Sequence, residues 1–357
     1  MHIDRIDNLA EFERLKASWD VAYSADPNAQ VFVSWAWLRA WFEISASDWF
    51  VLAARDQTTG EYVGFLPLAT HPIRVSKIEV MRELRMGGKP FGPITGFIAD
   101  PKYEAAAIDA IAEYVDEELG WESLRLEEVL DPRVDRFLTR FSKKSFEVDL
   151  GEPLSCPYLP LPSSWDEYLA KFLSKKGRYN LKRGFAQVEA LEGFRVTSPS
   201  CDTIADEIET LMSLWQVRWG LAPESTLEQY RHMYRAAFAH DGLWLRTLWE
   251  GDTPIASLAA YVDPVKRSMA YYTSGFDRRY EKLSPGKVVV GYAIRDAIED
   301  GFDTFDFLVG GHDYKLSFFG ASERFASSPV VTRQSLRKTV GHLLMRARDT
   351  LKREHVA

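Results

Sequence analysis

A chain of 357 residues exceeds the roughly 250–300 at which single hydrophobic cores stop growing, so two domains are expected. Hydrophobic residues make up 46% and charged residues 27%, an ordinary globular mix, and eleven Trp with twenty-one Phe supply enough apolar area for two cores. The formal net charge of −8 speaks against a dedicated nucleic-acid binder. Cys156 and Cys201 have no metal-ligand spacing and make no disulfide scaffold, which points to a reducing compartment. The acidic N-terminus lacks a signal-peptide h-region, and no uncharged apolar run reaches the roughly 18–20 residues of a membrane span. A soluble, cytoplasmic protein is the expectation.

Helical spacing is read over 8–24 and 29–44, the latter with Phe32, Trp35, Leu38, Trp41 and Phe42 on one stripe. Two apolar runs, 49–55 and 62–69, flank a polar turn with glycine and read as a hairpin. GGKPFGPITG (87–96) is too rich in breakers for regular structure; a helix at 102–119 and a strand at 123–129 follow. Residues 151–164, with four prolines, form the best linker. The second half repeats the order. Helices are read at 165–192 and 202–219, a hairpin at 243–249 and 255–262, a strand at 268–276, a helix at 285–299 and a strand at 302–309. The repetition suggests an internal duplication, with domains at 1–150 and 151–330. The tail, 331–357, reads as a basic amphipathic helix. It has an apolar face of Leu336, Val340, Leu343, Leu344, Ala347 and Leu351 opposite Arg333, Arg337, Lys338, Arg346, Arg348, Lys352 and Arg353. Packing on its own domain is the favoured reading for it, peripheral membrane contact the alternative.

The most informative segment is LSPGKVVVGYAIRDAIEDG (283–301). Ser284 fits a helix N-cap, Pro285 the first helical position, and Gly286 and Lys287 the first turn. Unpaired amides and the helix dipole favour an anion there, Gly286 leaves room for a phosphate, and Lys287 adds positive charge. The strand after the helix carries Asp306, and Tyr314 and Lys315 lie just past it, where ligands of crossover units gather. Acyl transfer from a thioester needs a deprotonated nucleophile, stabilisation of an oxyanion and a proton for the thiolate. Tyr314 suits the proton donor, Lys315 charge stabilisation or acceptor orientation, and Asp306 a base or a support for Lys315. Each also has a structural reading: a buried acid, a core aromatic, a surface charge. Trp215, Arg218 and Trp219 on the 202–219 helix are candidates for an acceptor pocket, with core packing the alternative for the tryptophans, and His312 is the histidine nearest the Tyr-Lys pair. The cluster Lys175, Lys176, Arg178, Lys182 and Arg183 suits a CoA 3′-phosphate, an anionic acceptor or a tRNA end, or is a solvated face. No metal is expected: none of the seven histidines has metal-ligand spacing.

The run SPGKVVVGYAIRDAIEDGFDTFDFLVGGHDYK, with YYTSGFDRRYEKL before it and VFVSWAWLRAWF near the N-terminus, resembles the CelD/BcsL-type (BioF2-like) GNAT acetyltransferase family. The resemblance covers most of the chain and is strongest over 165–319. It implies an α/β (α+β) fold of two tandem GNAT-like domains, each a mixed sheet flanked by helices and related to the FemABX fold. It also implies acetyl-CoA or another acyl-CoA as donor, bound in the C-terminal domain, with a small-molecule or saccharide acceptor and no nucleic acid. By motif, Ser284, Pro285, Gly286 and Lys287 correspond to the pyrophosphate turn and Tyr314 and Lys315 to the Tyr-Lys pair. The common Arg/Gln-x-x-Gly-x-Gly/Ala signature is not met: Glu281 stands at its first position and Ser284 at its first glycine. The N-terminal half, without such motifs, is expected to be scaffold or to shape the substrate. Two alternatives stand beside the acyl-CoA reading: a FemABX-like aminoacyl-tRNA-dependent peptidyltransferase, which the acidic balance and the lack of a long coiled-coil arm disfavour, and a non-catalytic module of polysaccharide assembly.

Overall fold

The computed structural model describes residues 1–75, 77–311 and 313–334, with residues 218 and 219 described in their backbone only. The chain divides into two compact units. One is Met1–Leu154 with the chain from Phe325 onward, and the other is Ser155–Arg324.

In the first unit the sheet runs in the order His2–Ile6, Asp48–Arg55, Tyr62–Val75, Ile78–Met86, Ser123–Arg125, Val330–Arg333, Phe146–Asp149, with Ile98–Ala99 alongside Tyr62–Val75. Neighbours are antiparallel except Ile78–Met86 and Ser123–Arg125, which pair parallel at Glu83 to Ser123, Leu84 to Leu124 and Arg85 to Arg125. A parallel pair cannot be closed by a tight turn, and the helix Glu104–Glu117 makes the crossover. Its Ala107, Ile108, Ile111 and Val115 pack with Phe50, Leu52, Leu66 and Leu68. The other sheet face meets an aromatic cluster, Trp19 stacking on Phe65 at 4.4 Å and Phe12 contacting Trp35 and Phe42. Covered on both faces, the second strand reads as the unbroken run FVLAA rather than an alternation.

The second unit repeats this plan. Its sheet runs Arg195–Thr197, Leu243–Glu250, Thr253–Asp263, Ser268–Phe276, Thr304–Asp306, Tyr158–Pro160. Again one pair is parallel, Ser268 with Thr304, Met269 with Phe305 and Ala270 with Asp306, and the helix Pro285–Glu299 crosses between them. That helix packs with Lys175–Glu189 over Leu258, Ala260 and Met269. On the opposite face Glu207 of the helix Ile204–Trp219 accepts a hydrogen bond from Thr247, 2.8 Å, which neighbours Ser257 at 3.0 Å. That helix lies so close that a Cβ on Gly275 would stand 2.2 Å from the carbonyl carbon of Leu214.

The strands His2–Ile6, Ile78–Met86, Phe146–Asp149 and Arg195–Thr197 and the helix Arg133–Thr139 correspond to no element in the sequence reading, and three further segments differ from it. The proline-rich 151–164 stretch contributes Tyr158–Pro160 as an edge strand, where a proline costs no ladder bond. Residues 330–333, read partly as the start of a tail helix, form a strand between Ser123–Arg125 and Phe146–Asp149, and Arg333 lies over the rings of Trp121 and Phe146. A helix, Glu224–Ala239, stands where no element was expected. The expected tail helix from 335 on lies outside the described residues. No helix among the described residues is long and apolar enough to cross a membrane.

Gly275→Ala is expected to destabilise the protein by about 3 kcal/mol or more, because the obstruction is helix backbone and not a side chain that can turn away. Urea unfolding followed by circular dichroism measures it.

Candidate active site

The helix Pro285–Glu299 is buried along most of its length, and Gly291 lets Leu181 and Phe185 press against it. Its start is unusual. Ser284 sits at φ 53°, left-handed, and its hydroxyl caps nothing. The Ser284 carbonyl accepts from Lys287, 2.9 Å, and from Val288, 3.3 Å. Pro285 has no N–H, so among the described residues Gly286 offers the one first-turn amide without a protein acceptor. No acidic side chain stands in that turn.

The parallel pairing ends at Ala270 and Asp306, while the first strand runs on through 271–276. The opening holds a cavity of about 240 Å³ lined by Tyr271, Phe276, Glu281, Ser284, Gly286, Lys287 and Tyr314. A second cavity, of about 200 Å³ and more polar, shares Ser284 and Lys287 and adds Asn180, Arg183, Gln187 and Lys282. The helix start thus borders both. Lys287 turns its ammonium over the ring of Phe318, at 4.6 Å, and Phe318 lines the polar cavity. Among the described residues Arg183, Lys282 and Lys287 have no carboxylate partner. The exposed Lys175, Lys176 and Lys182 continue this positive face along the helix Lys175–Glu189.

The remaining candidates separate. Tyr314 lines the apolar cavity with Ser284, Gly286 and Lys287. Lys315, next in sequence, is 5% exposed and donates to the carbonyls of Phe307, 3.0 Å, and Gly310, 2.8 Å. It ties down the loop leaving the last strand. Asp306 is buried, accepts from the Leu308 amide at 2.8 Å and pairs with Arg324. Burial pushes its carboxyl up, while Arg324, the Leu308 amide and Lys315 draw it down. Neither Asp306 nor Lys315 lines either cavity. Trp215 packs on Tyr230, ring centroids 5.6 Å apart. The side chains of Arg218 and Trp219, and His312, lie outside the described residues. Sequence reasoning passed over Tyr271, Phe276, Glu281 and Lys282 as site residues. The first two were visible as aromatics of the strand Ser268–Phe276, the others as the short 3-10 helix Arg278–Leu283 before the phosphate-ready turn. No group of His, Cys, Asp and Glu among the described residues could hold a metal ion.

Residues 175–316 match the family model described as "Acetyltransferase (GNAT) domain". The sequence has no match among curated proteins. Solved structures resemble the whole chain. A crystal structure of FemX shares 12% identity at a TM-score of 0.66, covering 96% of this chain and 99% of that one. The C-terminal domain (DUF2156) of a putative lysylphosphatidylglycerol synthetase from Agrobacterium fabrum gives 11% and 0.53, covering 95% and 96%. A tandem GNAT protein from the clavulanic acid biosynthesis pathway gives 10% and 0.51, covering 94% and 99%. The fold is of the GNAT type, and it spans the chain as it does in a tandem GNAT protein.

Two stability predictions follow from the buried charges. Lys315→Met strands one buried and one half-buried carbonyl and should cost about 2–4 kcal/mol in urea unfolding, at roughly 1–3 kcal/mol for each unsatisfied group. Arg324→Met leaves the Asp306 carboxylate without its partner and should cost about 3–5 kcal/mol at pH 7.5. A carboxyl raised above its unfolded value binds more protons folded than unfolded, so this loss shrinks as pH falls through the raised value. Melting curves of Arg324→Met at pH 7.5 and 5 should therefore approach those of the parent protein at the lower pH.

Proposed function

We propose that the second unit is an acyltransferase domain of the CelD/BcsL-type. On this reading it takes an acetyl or longer acyl group from an acyl-CoA thioester and passes it to an amine or hydroxyl of a small-molecule or saccharide acceptor. A cytoplasmic setting, where acyl-CoA is available, belongs to the same reading. The observation that carries it is the opening between the two parallel strands at a helix start whose first turn has no acid, with Arg183, Lys282 and Lys287 beside it lacking a carboxylate partner among the described residues. Phosphate groups are favoured at such a helix end, and cations alongside strengthen the attraction.

On this reading the donor's phosphates lie at the Ser284 and Lys287 border that the two cavities share, held by the three cations from the polar side and the Gly286 amide from the apolar side. The thioester reaches the apolar cavity past Ser284. Tyr314 gives its hydroxyl proton to the departing thiolate. Lys315 and Asp306 act at one remove, by fixing the loop that carries Tyr314. The cations do here what a row of free amides does elsewhere, since the first turn leaves only the Gly286 amide to offer.

Gly286→Val should weaken acetyl-CoA binding at least roughly tenfold in calorimetry, about 1.4 kcal/mol. Its added carbons would crowd Phe276, 3.2 Å from an added Cβ, and cover the amide. The pair Arg183→Ala and Lys282→Ala should weaken binding by about 1.5–3 kcal/mol and flatten its salt dependence. Undiminished affinity in both variants contradicts the assignment.

A second reading has one observation in its favour. Lys175, Lys176 and Lys182 extend the cationic face beyond what one coenzyme covers, which suits an aminoacyl-tRNA donor. Thermal shift with acetyl-CoA and with charged tRNA separates the two, since the true donor raises the melting temperature.

A further inference from the structure

The helix Lys175–Glu189 turns a cationic face to solvent. At about 100° per residue, Lys175, Lys176, Tyr179, Lys182, Arg183 and Ala186 fall within about 120° of arc, all of them exposed. Gly177, Leu181 and Val188 bury the opposite side. No acid stands on the helix before Glu189, and the four cations of the face have no carboxylate partner among the described residues. The 3-10 helix Arg278–Leu283, packed against this helix, adds the exposed Arg278 and Lys282 and one acid, Glu281. The chain carries a net charge of −8, so this density of cations is local to the face. Tyr179 stands among them 64% exposed, an apolar ring with a polar tip. The same end of the unit carries a bare apolar tip. The helix Ile204–Trp219 crosses the strand Ser268–Phe276 at Gly275, just before that strand leads into the 3-10 helix. Beyond the crossing, Val217 is 48% and Leu221 92% exposed, at the turn into Glu224–Ala239. Anionic headgroups attract the lysines and the acyl boundary takes the leucine, whereas a nucleic acid has a use only for the cations.

We propose that this end of the second unit docks on an anionic lipid bilayer. Lys175, Lys176 and Lys182 meet the headgroups, Tyr179 sits among them, and Leu221 with Val217 enters the acyl boundary. Attachment is peripheral and reversible, since a few cations and two aliphatic side chains anchor far less firmly than a membrane span. Docking goes beyond the acyl-transfer reading and holds whichever donor the second unit uses.

The test is co-sedimentation of the full chain with vesicles of phosphatidylcholine containing about one-third phosphatidylglycerol, compared with pure phosphatidylcholine. Wild type should bind the anionic vesicles at least roughly tenfold more tightly, and salt should erode the difference because the charges are exposed. Lys175→Gln, Lys176→Gln and Lys182→Gln combined should weaken this binding roughly 100-fold, about fivefold for each lysine lost. Leu221→Ser should weaken it roughly tenfold. All four side chains are exposed, so the variants should melt with wild type, which separates lost binding from a lost fold. Equal binding of wild type to the two kinds of vesicle, none to either included, overturns the proposal. So does binding that survives in the lysine variant, whatever other segment carries it, and binding unchanged in Leu221→Ser removes the inserted tip. A wild type that shifts tRNA in a gel and ignores the vesicles assigns the face to nucleic acid and likewise overturns docking on lipid.

Discussion

Two strands that run the same way cannot be joined by a tight turn, and everything else in the second unit follows from that constraint. The chain must leave Ser268–Phe276, cross the sheet and return as Thr304–Asp306, and a helix is the economical way across. The start of that helix must then fall at the carboxyl end of the first strand. The two strands pair over three residues and part. At one point the fold thus leaves an opening and a positive helix end. The shared Ser284 and Lys287 border of the two cavities is the direct result.

Where the sequence was legible, the signal was long or local. The two hairpins showed through because apolar strands of eight residues or more flank short polar turns. The Pro285 helix showed through because proline at a first turn is a local, steric signal. Tyr158–Pro160 and Val330–Arg333 were hidden for the opposite reason. Three or four residues carry no period, and each strand exists only because a partner far away in sequence accepts it. The tail's apolar spacing from 336 onward drew the helix reading back over residue 333, which the sheet claims instead.

Tyr314 and Lys315 show a finer limit. As neighbours in sequence they read as one functional pair. On a helix, successive side chains point about 100° apart, so one faces the cavity and the next faces the protein. The interior position suits lysine because its ammonium bridges two loop carbonyls, one buried and one half-buried. The sequence alone offered a charge beside a phenol. Only the loop geometry, with Leu308 left-handed and Gly310 at φ 122°, reveals what the charge is for.

The two units share a plan and differ in what they do with charge. At the corresponding place in the first unit the parallel pairing ends at Arg85 and Arg125. Those cations are matched: Glu83 pairs with both, Glu127 with Arg85, and Glu128 with Lys89. The crossover helix there begins with Glu104, an acid that occupies the positive helix end from within. In the second unit the equivalent turn has Gly286 and Lys287 in place of an acid, and Arg183 and Lys282 beside it have no carboxylate partner among the described residues. Mutual pairing makes a helix end self-sufficient. Unmatched cations around a free amide leave an electrostatic demand that an incoming anion can meet, and of the two crossovers only the second makes it.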